Sequence, residues 1–311
     1  MSEVDVVRSA IGPLGVFSYV GHLPAGDAIA LARRVESLRY GALWISEGFG
    51  TDPLATLALL GASTERLHVA TGIANIWLRS PGTMMQSART LAGQSDGRFI
   101  LGLGVGHRGT VVDIRGLSYD KPLETMRRYL AAMDAAPWLG PPMDRPVPRV
   151  LAALGPRMLE LARDHADGAL PFLTTPAHTA EARAILGPDK LLCVGQNVVV
   201  GSDATKARAA ISRALEVYKD PTNYRNNWLR QGFSATEIDE RKPRFLDAVI
   251  PWGSAERVWE RIREHYDAGA DHVCIHPIDV DSDGLDWNAL EEFAPAPAGP
   301  ASTPPPMRSD N

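Results

Sequence analysis

The chain has 311 residues, 45% of them hydrophobic and 22% charged, which is enough apolar content to bury one barrel-sized core or two smaller ones. A net charge of -5, with Lys and Arg scattered rather than in blocks, argues against a nucleic-acid partner. No apolar run approaches the ~20 residues that span a bilayer and no basic-then-apolar leader precedes Ile11, so a cytoplasmic protein without membrane contact is expected.

In chain order, short apolar runs alternate with amphipathic ones. Strands are expected at Ile11–Ser18, Ala42–Ser46, Leu67–Ala74, Phe99–Gly102, Arg149–Ala153, Gly168–Pro171, Leu191–Val200 and Asp271–His276. Most are apolar on both faces, as parallel strands beneath helices must be. Helices are expected at Gly26–Arg39, Pro53–Ser63, Pro81–Ser95, Pro122–Ala135, Arg157–His165, Pro176–Leu186, Asp203–Tyr218 and Ala255–Ala268. Asp52-Pro53 and Ser80-Pro81 place a capping side chain before a proline at the first helical position.

Eight such alternations point to an α/β fold, a (β/α)8 TIM barrel over residues 1–294, with an open doubly wound sheet as the other arrangement. Insertions are expected after the fourth strand (Arg108–Asp120) and the seventh (Lys219–Asp247, with Pro221, Tyr224, Trp228 and Phe233). The second insertion reads equally as a substrate-governing cover or a surface elaboration. Residues 295–311 are Pro- and Ala-rich and form an expected disordered tail. Cys193 and Cys274 lie in apolar strand runs and fit buried reduced thiols.

Ligands of a barrel meet the C-terminal ends of its strands. Those ends carry Phe17 and Ser18, Glu47, Asn75 and Trp77, Gly104 to His107, Leu154 to Arg157, Leu170 to Leu173, and His276. The run Phe99-Ile-Leu-Gly102-Leu-Gly104-Val105-Gly106-His107 lets main-chain N–H groups approach an anion, although its glycine spacing differs from the dinucleotide fingerprint and also suits a plain strand-end turn. Phe49 and Trp77 are candidates to line an apolar substrate pocket or to pack in the core. Glu47 reads as a mouth carboxylate, a helix cap or a salt-bridge partner. Arg79 reads as an anion contact or a solvated side chain. His272, Cys274 and His276 alternate along one strand, but packed residues are the preferred reading and no metal is expected. His22 lies within reach of the mouth, whereas His68, His165, His178 and His265 read as surface or helix-end residues.

Several ordered segments carry a resemblance: Gly41-Ala-Leu-Trp-Ile-Ser-Glu47 with Asp52-Pro53, Ala70-Thr-Gly-Ile-Ala-Asn75, Gly97-Arg-Phe-Ile-Leu-Gly-Leu-Gly-Val-Gly106, Ala153-Leu-Gly-Pro-Arg-Met158 with Ala166-Asp-Gly-Ala169, and Gly269-Ala-Asp-His-Val273. From Gly12 to about Phe293 the chain resembles the luciferase-like monooxygenase superfamily, within it the branch dependent on the deazaflavin coenzyme F420. The resemblance implies an oxidoreductase that moves a hydride between the deazaflavin C5 and a small organic substrate. FMN-dependent oxygenation and non-catalytic F420 or flavin binding are the alternatives. It also implies a non-prolyl cis peptide at Gly72–Ile73 behind the ring, Asn75 and Gly104 to Gly106 at the ring, Leu170 in the same wall, and a phosphate near Leu154, Gly155, Pro156, Arg157 and Met158, where a helix starts. Phe17, Phe49 and Trp77 are assigned to the substrate side. Relatives have a histidine after the acidic residue of the second strand, where this chain has Gly48, so Glu47 and His107 are the expected acid/base pair. A homodimer is expected from the same resemblance.

Overall fold

The computed structural model describes residues 2–218, 222–282 and 284–296. Its strands are β1 (Leu14–Ser18), β2 (Ala42–Ile45), β3 (His68–Thr71), β4 (Ala74–Asn75), β5 (Phe99–Gly104), β6 (Arg149–Leu151), β7 (Gly168–Ala169), β8 (Leu191–Val200), β9 (Trp252–Gly253) and β10 (His272–Pro277). Neighbouring strands pair in parallel in the order β10-β1-β2-β3-β5-β6-β7-β8, and β8 pairs again with β10. The sheet therefore closes on itself with eight strand positions, the expected (β/α)8 barrel. β4 continues the third position beyond β3, and β9 adds to the end of β8.

The helices are α1 (Glu3–Ile11), α2 (Ala25–Ser37), α3 (Pro53–Ala62), α4 (Pro81–Gln94), α5 (Pro122–Asp134), α6 (Pro156–His165), α7 (Pro176–Leu186), α8 (Ala204–Ala214), α9 (Thr222–Arg230), α10 (Ala235–Asp239), α11 (Pro243–Val249), α12 (Ala255–Asp267) and α13 (Trp287–Glu292). The capping signals act as read. Asp52 Oδ1 accepts from the N–H groups of Leu54 (2.9 Å) and Ala55 (3.0 Å), and Ser80 Oγ accepts from Thr83 N–H (3.2 Å). The stretch after β5 forms a π-helical turn at Thr110–Ile114, and α9 to α11 follow α8 before β9. Pro221 and residues 297–311 of the expected tail lie outside the described residues.

Alternation along each strand divides the apolar side chains into two sets. Val16, Leu43, Ile45, Val69, Leu101, Val194, Val273 and Ile275 face the helices. Phe17, Trp44, Ala70, Ile100, Val150, Leu170, Cys193 and Cys274 fill the barrel interior. Both sets are almost wholly buried, which is why the strands read as continuous apolar runs. Both cysteines are free, and burial raises their thiol pKa values.

Two expected boundaries change. The strand expected from Ile11 begins at Leu14, because Glu3 to Ile11 is the helix α1. Ser2 and Asp5 form a capping box, and Gly12 ends the helix at φ +59°. Ile11 joins the interior cluster and Val4 and Val7 pack against it, so α1 closes the bottom of the barrel. The strand expected over Leu67–Ala74 is interrupted at Gly72–Ile73.

Candidate functional site

The interruption of the third strand is the non-prolyl cis peptide bond Gly72–Ile73, at the position the sequence singled out. Main-chain bonds brace it: Gly72 N–H donates to Ile45 O (2.7 Å), and Glu47 N–H donates to Ile73 O (3.3 Å). Glycine is required at 72 because a Cβ there would lie 2.6 Å from Cε2 of Phe17.

The glycines of β5 serve the same bulge. A Cβ at Gly104 would lie 2.5 Å from Ile73 Cδ1, and one at Gly102 would overlap Thr71 O. Gly102 and Gly104 thus leave room for the third strand's bulge. Gly106 adopts φ +59° and abuts the Asn75 amide, with a Cβ there 2.5 Å from Nδ2.

Glu47 lies at the mouth, 5% exposed, with both oxygens engaged. Oε2 accepts from Asn75 N–H (2.7 Å), and Oε1 accepts from Arg79 Nη1 (2.6 Å). Arg79 also pairs with Asp52, so it is a buried linker rather than a solvated side chain. Trp77 donates from Nε1 to Val105 O (2.8 Å) and packs 5.2 Å from Tyr119, which spends its ring on joining the third and fourth strand ends. Phe49, on the loop after β2, is 62% exposed beneath the Arg115 guanidinium (5.0 Å). Gly48, its neighbour, leaves the loop without a side chain to turn it inward.

Phe17 closes one side of the mouth and stacks on Phe172 with centroids 4.8 Å apart. Around it stand Tyr19 (5.4 Å from Phe17), Tyr218 (6.1 Å from Phe172) and Tyr224 (4.7 Å from Tyr218). His107 joins this wall, 5.7 Å from Tyr224 and 6.1 Å from Tyr218. Its Nδ1 is buried without a partner. Burial lowers its pKa and the Asn223 side chain offsets this in part, so the imidazole is neutral at pH 7. His276 Nδ1 bonds Phe17 O (2.9 Å); a carbonyl only accepts, so Nδ1 carries the proton and Nε2 is left as an acceptor. Burial pushes its pKa down to about 4.

At the fifth strand end, Gly155 precedes α6 and Pro156 opens it, with no side chain capping the helix. Leu154 O accepts from Arg230 Nη2 (2.6 Å) and bonds His178 Nε2 (2.8 Å). Arg230 also holds Asn227 Oδ1 (2.7 Å) and sits 3.6 Å from Glu181. Asn227 Nδ2, His178 Nδ1 and Thr174 Oγ1 are buried without partners. Arg157 is exposed, Met158 packs against the outer core, and Leu170 is buried with its N–H committed to Leu151 O (2.8 Å).

The structure thus gathers Phe17, Gly72, Ile73, Asn75, Glu47, Gly104 to His107 and Leu170 around one barrel mouth, with Leu154 to Met158 at its edge. Sequence reasoning missed Tyr19, Tyr218 and Arg230, whereas Phe172 falls in the strand-end segment Leu170 to Leu173. Tyr19 was signalled by alternation with Phe17. Nothing in the sequence ties Tyr218 to Tyr19, 199 residues away, or Arg230 to Leu154, 76 residues away. His178 and His265 are buried, not superficial. His265 bridges Thr179 Oγ1 (2.8 Å) and Gln196 Oε1 (3.0 Å) inside the wall. His272 accepts from Trp44 Nε1 (3.1 Å), so its Nδ1 is the nitrogen that donates to Gly12 O (2.8 Å). Among the described residues no helix is long and apolar enough to cross a membrane.

The fold is a closed parallel eight-strand (β/α)8 barrel with an aromatic cluster at one mouth. The luciferase-like monooxygenase family model matches residues 13–272, and the chain belongs to that family. It is 26% identical over 269 residues, 71% of this chain and 78% of the relative, to the Mycobacterium tuberculosis protein named "Putative coenzyme F420-dependent oxidoreductase Rv3520c". It is 31% identical over 156 residues, 45% of this chain and 48% of the relative, to 5,10-methylenetetrahydromethanopterin reductase of Methanolobus tindarius. Similar folds include an F420-dependent secondary alcohol dehydrogenase (TM-score 0.71, 17% identity, covering 91% of this chain and 97% of that one). Another is the FMN-bound oxygenating constituent of 3,6-diketocamphane monooxygenase from Pseudomonas putida (TM-score 0.65, 14% identity, 91% and 96%).

Proposed function

We propose that this enzyme binds coenzyme F420 at the barrel mouth and transfers a hydride between it and a small organic substrate. The observation that carries the reading is the barrel mouth, where Asn75, His107 and the aromatic wall of Phe17, Phe172 and Tyr218 converge. The resemblance to a relative named as F420-dependent over 71% of the chain favours the deazaflavin over FMN. The residues fit such a group. A glycine without a Cβ precedes the uncapped α6, and buried polar atoms without partners (Asn227 Nδ2, Thr174 Oγ1 and His107 Nδ1) surround the mouth.

When bound, the coenzyme supplies the hydride chemistry. Ile73 would back its ring, Asn75 would meet its polar edge, and Gly155 to Met158 would receive its phosphate at the positive end of α6, with Arg230 beside them. His107, neutral and half-buried, is the proton-handling group of this reading. Glu47 is assigned to position rather than to transfer a proton, because both its oxygens are already committed. α3 is largely apolar, with Leu59 39% exposed, and supports a homodimer.

Titration of the purified chain with F420 and with FMN, followed by fluorescence, tests the cofactor. Micromolar binding of F420 with much weaker FMN binding is expected. Binding of FMN alone would transfer the chain to the flavin branch, and binding of neither would refute the reading. Light scattering on the eluting protein tests the dimer.

A further inference from the structure

Tyr19 follows β1, and Tyr218 lies in the short 3-10 turn at Glu216–Tyr218 that follows α8; their hydroxyls meet at 3.1 Å. Two hydroxyls carry two protons, and their mutual bond uses one. Among the described residues no acceptor takes the second. Beside them, His276 keeps Nε2 as an acceptor with no partner among the described residues, its ring 4.9 Å from that of Tyr19. One spare donor and one spare acceptor thus face a common region.

That region is not sealed. A groove of about 420 Å³ runs from Tyr19 and His276 outward between α2 and α13, lined by Leu23, Leu31, Leu285 and Trp287 together with the charged Asp27 and Arg34. Arg34, which lies over the Trp287 ring and bonds Glu291, joins the two helices along it. The groove's volume falls in the range of small-ligand sites, and its walls are mainly apolar. It reaches the mouth from the first and eighth strand positions. The Gly72–Ile73 bulge and Gly155 lie at the third and fifth, with Phe17 between the bulge and Tyr19.

We propose that the Tyr19–Tyr218 hydroxyl pair is the hydrogen-bond donor to the substrate's oxygen, and that the groove ending there admits a small, mainly apolar alcohol or carbonyl compound. The inference rests on the oxidoreductase reading above and assigns its substrate side. A carbonyl oxygen accepts the spare hydroxyl proton. An alcohol oxygen does the same and donates its own proton to His276 Nε2. Charge that develops on that oxygen meets a donor already oriented by its partner hydroxyl. Burial raises the pKa of Tyr218 to about 12 and raises that of Tyr19 well above its ordinary value, so both stay protonated donors at ordinary pH. The pair also supplies a polar contact to the reacting oxygen that Gly48, having no side chain, does not.

The test compares cyclohexanone with methylenecyclohexane, which replaces the oxygen by CH2, on the full chain with and without F420. Calorimetry gives the affinity ratio, and difference infrared spectroscopy gives the carbonyl stretch. The wild type should prefer the ketone roughly tenfold, the size of one well-made hydrogen bond, and should shift the stretch to lower frequency. The double variant Tyr19→Phe/Tyr218→Phe keeps the ring packing and should lose both the preference and the shift. Tyr19→Phe alone should retain part of each. A wild type without ketone preference, or a double variant that keeps it, overturns the assignment. Ketone recognition that persists while F420 fails to bind refutes the cofactor reading instead, so the two failures are distinguishable.

Discussion

Replacement of Glu47 by Gln tests whether this carboxylate is the clamp of the cis bulge. Its two oxygens serve two N–H donors, Asn75 N at 2.7 Å and Arg79 Nη1 at 2.6 Å, and it is 5% exposed. Glutamine offers one acceptor and one NH2, so one of those donors is left facing another donor. A hydrogen bond to a charged group contributes about 1.5–3 kcal/mol, and breaking a buried pair costs about 3–5 kcal/mol. Arg79 is itself 14% exposed and keeps Asp52, so the lower part of that range applies. A loss of about 2–3 kcal/mol is expected, which at about 2 °C per kcal/mol for a chain of this size lowers the melting midpoint by about 4–6 °C. Thermal melts followed by circular dichroism measure it. Glu47→Gln with Arg79→Leu should cost less than the sum of the single changes, because the two share one interaction. A midpoint equal to that of the wild type, or strict additivity, would refute the clamp.

Gly104→Ala places a methyl 2.5 Å from Ile73 Cδ1 and should destabilise by about 1–3 kcal/mol. Adding Ile73→Ala should recover part of that loss in the same melts, and no recovery would mean that the clash lies elsewhere. Glu36 accepts the N–H groups of Glu65, Arg66 and Leu67 at 2.9, 2.6 and 2.9 Å. Burial alone would raise its pKa, but these donors outweigh it and the folded value lies below the ordinary one. Its contribution is therefore complete above the unfolded pKa of about 4.5 and is lost as pH falls through the folded value. Glu36→Gln should flatten that acid limb of the midpoint against pH, and an unchanged slope would count against it. Phe49→Ala should leave F420 affinity unchanged, and a large loss would return Phe49 to the mouth.

Strand–helix alternation was legible because both faces of nearly every strand are buried, so the apolar runs are continuous and bounded by Pro and Gly. The bulge was legible through Gly72, and the capped starts of α3 and α4 through Asp52-Pro53 and Ser80-Pro81. α1 was not, since Ile11 reads as the first residue of an apolar run and its helix is announced only by Ser2 and Asp5. The glycine run of β5 was legible as a strand end, but its close packing against Thr71 and Ile73 was not. A Cβ clash with a residue thirty positions earlier is a tertiary fact that no local spacing encodes. Tyr218 and Arg230 illustrate the same limit. Each becomes part of the mouth only because the segment after β8 folds back over distant strand ends. Arg79 was misjudged for a related reason, since nothing local shows that Glu47 and Asp52 converge on it.

Because α1 closes the lower end of the barrel with Ile11, and the Trp44–His272 pair fills the layer above, the axis of the barrel is packed side chain and not a passage. A ligand approaches the strand ends from the mouth or along the flank between α2 and α13, so the closed end is free to change for stability alone.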